Sequence, residues 1–394
     1  MSDINDNGVL LLSLADLAIK RYKAGDMKSA RGICLEIMVT SPNQPQILAL
    51  LGLIERRQNS VAKSEEYFRH AIEIDPQNKI ALDHLESIQQ VRQDTQNSSY
   101  YREYLAQRPL YMDFPRRISI ETVGRCNASC NFCPHGELER RFTGMTDELF
   151  DKIIGDLSAI PKEIPITIMP NLVNEPFMDR QMLSRLQKIN QALPQARIYI
   201  FTNFNVLPHD FFERIYDIAN LDGINVSFNA ANEVEYVESM GIDFNRTVAN
   251  LRNLLTINNK QRFLKQPLIL SRVADLTERD QIYEEQCRNI FAEFEEQKDF
   301  IIHVKNRANW LGSIRSKQSE IPFSQPCGAW FDINVFCNGT VPHCCMDSKG
   351  DYAIGDASHE NLLDIYNAPG FRKYRETMLA REMAEPCCHC ALMQ

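Results

Sequence analysis

Between Ile118 and Trp310, stretches in which apolar and polar residues alternate are separated by stretches with apolar residues at helical spacing. The strand-like stretches are ISIETV, ITIMP, RIYIFTN, GINVSFN, PLILSRV and DFIIHVK, and helix-like segments such as TDELFDKIIGDLS lie between them. Strands that alternate with helices are typical of a parallel sheet with helices packed outside it. The pattern therefore predicts an α/β fold, with functional residues at the carboxyl ends of the strands.

The first ninety residues repeat with a period of 34 and predict pairs of amphipathic helices. The two copies align as follows: Gly25 with Asn59, Ala30 with Ser64, Cys34 with Phe68, Ile37 with Ala71 and Pro42 with Pro76. This spacing resembles tetratricopeptide (TPR) repeats, and a third start at Ile80 predicts a capping helix. We expect an all-α TPR module at 1–92, which docks on the catalytic body or on a partner, and a partly helical linker at 93–116.

Composition limits the classes of function. The chain has 394 residues, of which 44% are hydrophobic, so two or three packed domains are expected. A formal net charge of −9 opposes attraction to phosphate backbones, so no nucleic-acid partner is expected. The acidic beginning MSDINDNG lacks the positive charge of a secretory signal, and no apolar run approaches the length of a membrane span. We therefore expect a cytoplasmic protein without a membrane partner.

The twelve cysteines indicate metal rather than disulfides, because cytosolic thiols stay reduced. Cys126, Cys130 and Cys133 have C-x3-C-x2-C spacing in a loop that follows the first predicted strand. Three thiolates can ligate a four-iron cluster and leave one iron open to chelate a small molecule. Zinc with His135 as fourth ligand is the alternative at this loop.

The cysteine spacing, with Phe132 before the last cysteine, resembles the signature of the radical S-adenosylmethionine (radical SAM) superfamily. The resemblance implies a partial (β/α)6 barrel at 117–310, a [4Fe-4S] cluster on the three cysteines and S-adenosylmethionine at the open iron. The resemblance also implies cofactor-binding residues in three places. They lie in LVNEPFM, which corresponds to the family's Gly-Glu-Pro, in FTNFN, which corresponds to its Thr-Asn-Gly, and on later strands. These residues are Phe132, Asn174, Glu175, Thr202, Asn203, Ser227, Ser271 and Arg272.

The tail at 311–394 contains further cysteines in two pairs, Cys327 with Cys344 and Cys387 with Cys390. A glycine at position 339 fits a hairpin turn that would bring the first pair together. The stretch resembles the SPASM/twitch extension of radical SAM enzymes, in the form with one auxiliary [4Fe-4S] cluster. That resemblance implies that all four thiolates bind the auxiliary cluster, which then serves in electron transfer.

Two alternatives stay open in the tail. The adjacent Cys345 and Cys388 can replace Cys344 and Cys387 as ligands, and Cys337 is also near in sequence. A four-cysteine zinc ribbon uses the same ligands in similar pairs, so the tail by itself does not separate zinc from iron-sulfur. The cysteine loop near the first strand favours iron-sulfur.

The radical SAM resemblance implies an oxidoreductase or maturase that makes a 5′-deoxyadenosyl radical and abstracts hydrogen, with net oxidation through the auxiliary cluster. Short TPR arrays usually hold peptides, so a peptide or protein-bound substrate is the first expectation. Dehydrogenation of a small carbohydrate or aminocyclitol is the second. A non-catalytic TPR adaptor with zinc in both cysteine sites is the third. An electron donor such as flavodoxin or ferredoxin is expected, and the residue patterns identify no catalytic side chain.

Overall fold

The computed structural model describes residues 3–57, 61–297, 299–314, 320–322, 325–378, 380–381 and 384–393. The chain divides into two units, each made from separate stretches. Unit 1 comprises Met1–Tyr104, Pro322–Cys327 and Met378–His389, and unit 2 comprises Leu105–Ile321, Gly328–Thr377 and Cys390–Gln394. Within the described ranges, the helices lack an apolar stretch long enough to cross a bilayer.

Unit 1 is built on helical hairpins. Its helices are α1 (Asp3–Lys23), α2 (Met27–Thr40), α3 (Pro45–Arg57), α4 (Val61–Ile74) and α5 (Lys79–Asn97), and α6 (Ser99–Tyr111) begins in this unit. Helix α1 packs on α2, and α3 packs on α4. The positions that the 34-residue period relates are buried in both hairpins, at Ala30, Cys34 and Ile37 and at Ser64, Phe68 and Ala71. The predicted helix pairs are present; Asn59 lies outside the described residues, and membership of the TPR family stays a prediction.

The first six strands follow the predicted order, and five further strands come after them. They are β1 (Arg117–Ile120), β2 (Ile166–Met169), β3 (Ala196–Thr202), β4 (Leu221–Ser227), β5 (Leu268–Val273), β6 (Phe300–Lys305), β7 (Glu320–Pro322), β8 (Asp332–Val335), β9 (Thr340–Val341), β10 (Gly355–Asp356) and β11 (Ala391–Met393). The main sheet is parallel and has the order β6-β5-β4-β3-β2-β1-β8. The predicted α/β fold is confirmed, and β8 adds a seventh strand from beyond the predicted barrel region.

Helices connect the strands of the main sheet. They are α7 (Asp147–Leu157), α8 (Met182–Ala192), α9 (Phe211–Arg214), α10 (Glu233–Met240), α11 (Phe244–Gln261) and α12 (Glu278–Ile290), and α13 (Leu362–Asn367) and α14 (Pro369–Thr377) follow later. Residues such as Phe150 and Ile153 of α7 and Ile198 and Ile200 of β3 are fully buried in one apolar core. Each such side chain contributes about 1.5–3 kcal/mol through burial. This core fixes the strands and therefore the positions of the loops at their carboxyl ends.

A buried ion pair fixes the segment that follows the cysteine loop. Glu121, directly after β1, pairs with Arg140 at 2.6 Å, and both side chains are almost completely buried. The Arg140 guanidinium also lies 3.4 Å from the ring centre of Phe336 and donates to the Ser348 carbonyl at 2.5 Å. Removing one partner of such a buried pair typically costs about 3–5 kcal/mol, because the other charge stays buried without compensation.

Candidate metal and cofactor site

The cysteine loop docks on the end of helix α10. Ser129 N–H donates to the Met240 carbonyl at 2.8 Å, and Asn131 N–H donates to the Ser239 carbonyl at 3.2 Å. The helix ends at Gly241, whose φ of 69° lies in the left-handed region that glycine tolerates. The C-terminal turn of α10 therefore supports the middle of the loop that carries the three cysteines.

We expect Gly241→Ala to loosen this support. A Cβ at Gly241 would lie 2.3 Å from the Ser129 Oγ, and the positive φ adds strain of about 1–2 kcal/mol for any other residue. The variant should melt at a lower temperature and retain less iron. Gly155→Ala in α7 is the matched control, because its Cβ would meet nothing within 4 Å. Equal iron content in both variants would contradict a role for this contact in holding the loop.

All three loop cysteines line one cavity of about 140 Å³ at the carboxyl ends of the strands. The same cavity is lined by other positions that the family resemblance singled out: Phe132, Asn174, Glu175, Thr202, Asn203 and Ser227. Residues from the ends of β2, β3 and β4 thus meet the cysteine loop around one space. This convergence is the arrangement that parallel α/β sheets use for cofactors.

Burial disfavours the charged form of the three loop thiols. Burial raises the pKa of the Cys126 thiol to about 12 and also raises the pKa of Cys130 and of Cys133. Thiols with such pKa values stay protonated at neutral pH unless a metal replaces the protons. In the described part of the chain, the group of possible ligands whose donor atoms all lie within 4.8 Å of one another is Glu385, Cys388 and His389. The three loop sulfurs do not form such a close group, and three thiolates that leave one iron open are the ligand set of a four-iron cluster that binds a small molecule.

Glu175 is the buried acid of the site. Its side chain accepts hydrogen bonds from the Thr202 hydroxyl and the Asn203 N–H, both at 2.6 Å, and from the Phe177 N–H at 3.1 Å. Burial nevertheless raises its pKa to about 7, because desolvation outweighs these three bonds. Two strand ends therefore position one carboxyl group beside the cysteines, with acceptor capacity left for a ligand.

Asn174 stands where the resembled family has glycine, and its backbone does not have a positive φ. Its Oδ1 accepts from the Leu172 N–H at 2.8 Å, whereas its buried Nδ2 has no hydrogen-bond partner in the described structure. A buried donor without a partner is costly, and a ligand oxygen in the cavity would satisfy it. Asn174 therefore fits a site for a ligand with oxygen acceptors.

A chain of asparagines holds the loop, and the sequence analysis identified only its first member. Asn203 Nδ2 donates to Asn127 Oδ1 at 2.8 Å and lies 3.9 Å from the Cys126 Sγ. Asn127 in turn donates to Asn205 at 3.2 Å, and Asn205 donates to the Thr247 hydroxyl at 3.0 Å. Two features of the sequence point to these residues. Asn127 lies between Cys126 and Cys130, and Asn205 belongs to the FTNFN motif.

The remaining predicted binding residues lie apart from the cavity centre. Ser271 donates to Asn225 Oδ1 at 2.7 Å and does not line the cavity. Arg272 lines a neighbouring cavity of about 50 Å³, and its guanidinium pairs with Asp275 and Asp280, each at 2.7 Å. It also donates to the Asn229 carbonyl. The structure thus brings Ser227 to the cysteines but engages Ser271 and Arg272 elsewhere, and their roles stay predictions.

In unit 2 the predicted glycine turn is present. Phe336 N–H donates to the Thr340 carbonyl at 2.9 Å, and Gly339 has a φ of 93°. After this turn Cys344 is buried whereas Cys345 is exposed, which favours Cys344 as the ligand of the two. Cys390, the other predicted auxiliary ligand in this unit, is partly buried.

Unit 1 contains the other two predicted auxiliary ligands. Cys387 is buried and Cys327 is partly buried. The neighbouring Cys388 belongs to the group with Glu385 and His389. Those two side chains are exposed and form a pair four residues apart in sequence, at 3.7 Å. Burial favours Cys387 over Cys388, and the choice stays a prediction.

Comparison with protein families finds a match to SPASM, an iron-sulfur cluster-binding domain, over residues 327–391. No curated protein sequence matches the chain. The domain match confirms that the tail binds iron-sulfur, as its cysteines predicted.

Solved structures with a similar fold include Streptococcus suis SuiB bound to precursor peptide SuiA, at 12% identity and a TM-score of 0.51 over 84% of this chain and 82% of that one. BtrN in complex with AdoMet and 2-DOIA matches at 16% identity and a TM-score of 0.45, over 70% and 93% of the two chains. The protein anSMEcpe with bound AdoMet matches at 10% identity and a TM-score of 0.47, over 67% and 82%. The likeness to SuiB agrees with the predicted α/β fold of the strand-and-helix region.

Proposed function

We propose that this radical SAM protein with a C-terminal SPASM domain abstracts hydrogen from a peptide or protein-bound substrate. The observation that carries the proposal is the single cavity in which Cys126, Cys130 and Cys133 meet Glu175 and the strand ends. When bound, a four-iron cluster with S-adenosylmethionine supplies the 5′-deoxyadenosyl radical. The chain's own residues position the cofactor, orient the substrate and exclude water.

Residues around the cavity offer different groups to the cofactor, some as hydrogen-bond acceptors and others as donors. Glu175 offers an acceptor for the amino group of the cofactor, and the unsatisfied Nδ2 of Asn174 offers a donor for an oxygen of the cofactor. Asn203 stabilises the cysteine loop through its hydrogen bond to Asn127, and its Nδ2 lies 3.9 Å from the Cys126 sulfur. Phe132, whose carbonyl accepts from the Trp310 indole N–H at 3.3 Å, provides an apolar surface at the rim.

One electron from a cluster held by Cys126, Cys130 and Cys133 would cleave the bound cofactor to methionine and the 5′-deoxyadenosyl radical. That radical would become 5′-deoxyadenosine by taking a hydrogen atom from the substrate, which would be left with one unpaired electron. An auxiliary cluster in the tail would supply the acceptor for that electron, and loss of a proton would then complete a two-electron oxidation of the substrate. Cys327, Cys344, Cys387 and Cys390 are the ligands that we propose for this acceptor. An external donor such as flavodoxin or ferredoxin would reduce the first cluster before each cycle.

A peptide substrate is supported by two observations. The helical hairpins of unit 1 resemble repeats that hold peptides, and the SuiB structure of similar fold is bound to a precursor peptide. The test is anaerobic reaction of the reconstituted protein with candidate peptides and with aminocyclitols, followed by mass spectrometry. Loss of two hydrogen atoms from a peptide supports the proposal, whereas oxidation of the aminocyclitol alone favours the small-molecule alternative. Zinc with little iron in anaerobically purified protein would favour the adaptor.

Glu175 should make cofactor binding dependent on pH. The carboxyl has a pKa of about 7 in the free site, and only its ionised form accepts a hydrogen bond on both oxygens. Binding below this pKa must therefore remove a proton, so the apparent affinity falls by up to about tenfold per pH unit. Calorimetry at several pH values should show weaker binding and a smaller pH dependence for Glu175→Gln. Glu137→Gln, at an exposed ion pair with Lys349, is the control and should match wild type. The same pH dependence in Glu175→Gln as in wild type would refute this role.

A further inference from the structure

Unit 1 contains two pieces of the C-terminal region besides its helices, Pro322–Cys327 and Met378–His389. The clearest contact is made by Ala380, which is 1% exposed and belongs to the apolar cluster of helices α3, α4 and α5. That cluster includes Leu48, Phe68 and Leu85. The second hairpin and the cap thus bury a residue of the chain's own tail.

The two C-terminal pieces are also bound to each other. Arg381, next to Ala380, donates to the Gln325 carbonyl through its backbone N–H at 3.0 Å and through its Nε at 3.2 Å. Gln325 stands two residues before Cys327. On the other side, Cys388 N–H donates to the Ala384 carbonyl at 3.0 Å and closes a turn that contains the buried Cys387.

We infer that helices α3, α4 and α5 bind the cysteine-bearing tail and thereby position Cys327 and Cys387 for the auxiliary cluster. This inference rests on the proposed function for the identity of the cluster. The occupant of the α3–α5 surface around Ala380 is a segment of this chain, so this part of the module is not available to a peptide. The helices act on the cluster through the backbone of the tail and are positioning elements.

The test compares full-length variants that differ at one position. Ala380→Glu places a carboxylate into the apolar cluster, which is unfavourable without a partner. Leu82→Glu, on α5 with a side chain 43% exposed, introduces the same charge without touching the cluster and is the control. We expect Ala380→Glu to fall from about eight to about four irons per chain and to keep 5′-deoxyadenosine formation, while Leu82→Glu matches wild type.

Hydrogen exchange of the tail gives a readout that does not depend on activity. Amides at 384–391 should exchange faster in Ala380→Glu, and to a lesser degree in Leu85→Ala, which removes apolar contacts from the module side without adding charge. Retention of about eight irons with unchanged exchange in the tail would overturn the inference. An equal loss of iron from both sites would also overturn it, because the effect must be selective. A wild-type protein without iron would instead defeat the proposed function, while tail exchange would still report on the docking.

Discussion

Replacement of Cys126, Cys130 and Cys133 together by alanine is expected to remove about four irons per chain and to abolish 5′-deoxyadenosine formation. The three cysteines line one cavity. Among the described residues that line it there is no other cysteine, so no other thiol there could take over the cluster. Burial raises all three thiol pKa values, and a thiol must lose its proton to bind metal, so the cluster would replace the proton of each. Iron analysis and chromatography of the reaction products provide the measurement.

Cys287→Ala is the matched control for this triple variant. Cys287 is a fully buried thiol of helix α12, its pKa is also raised to about 12 by burial, and it does not line the cysteine cavity. The control should lose some thermal stability through the missing sulfur but keep its iron. Cofactor cleavage that persists in the triple variant would place the radical chemistry elsewhere in the chain.

Substitution of Cys344 by alanine is expected to separate cofactor cleavage from product formation. The variant should still form 5′-deoxyadenosine, because the cavity of Cys126 contains none of the tail cysteines. It should yield little oxidised product, because the substrate radical would lack its electron acceptor. Mass spectrometry of substrate and cofactor from the same reaction gives the ratio of the two, which should shift strongly toward abortive cleavage.

Cys345→Ala serves as the comparison for Cys344→Ala, since the two cysteines are adjacent and only Cys345 is exposed. If the buried residue is the ligand, Cys345→Ala keeps wild-type iron and product. If the two variants exchange their behaviour, Cys345 is the ligand instead. Normal product from a variant shown to lack the second cluster would disprove the electron-acceptor role.

The cysteine loop could be predicted because its information is local. The three cysteines are closely spaced and directly follow an alternating stretch, so the sequence identifies both the metal ligands and the strand before them. All three residues do line one cavity. The strand pairs β5 and β6 likewise arise where the apolar pattern predicts them. Contacts such as Asn127 to Asn205 depend on two loops that are distant in sequence, and asparagine carries no periodic signal.

Strand β5 illustrates why neighbouring residues were hard to assign. Successive side chains of a strand point to opposite faces, so Ser271 and Arg272 could not both face one cavity. Ser271 instead binds Asn225 on the adjacent strand, and Arg272 binds two aspartates. A sequence pattern gives the strand but not which of its faces the cofactor meets.

The FTNFN motif shows a departure of a different kind. Phe204 stands where the resembled Thr-Asn-Gly motif has glycine. Its φ of 55° lies in the left-handed region. The cost of that conformation is offset by full burial of the ring against Phe177 and Phe211 and by the N–H bond to Thr202 at 2.8 Å. The buried ring and the hydrogen bond thus hold a residue other than glycine in the left-handed region.

The pairing of β8 with β1 bears on how such proteins can be recombined. The SPASM match begins at residue 327, yet β8, at Asp332–Val335, hydrogen-bonds along the whole of β1 in the main sheet. A fusion that exchanges the tail at residue 311 or 327 would replace β8, so the incoming tail would have to supply a strand that pairs with β1 in the same register. Chimeras should therefore be joined after Val335, so that β1 keeps the strand with which it pairs in this chain.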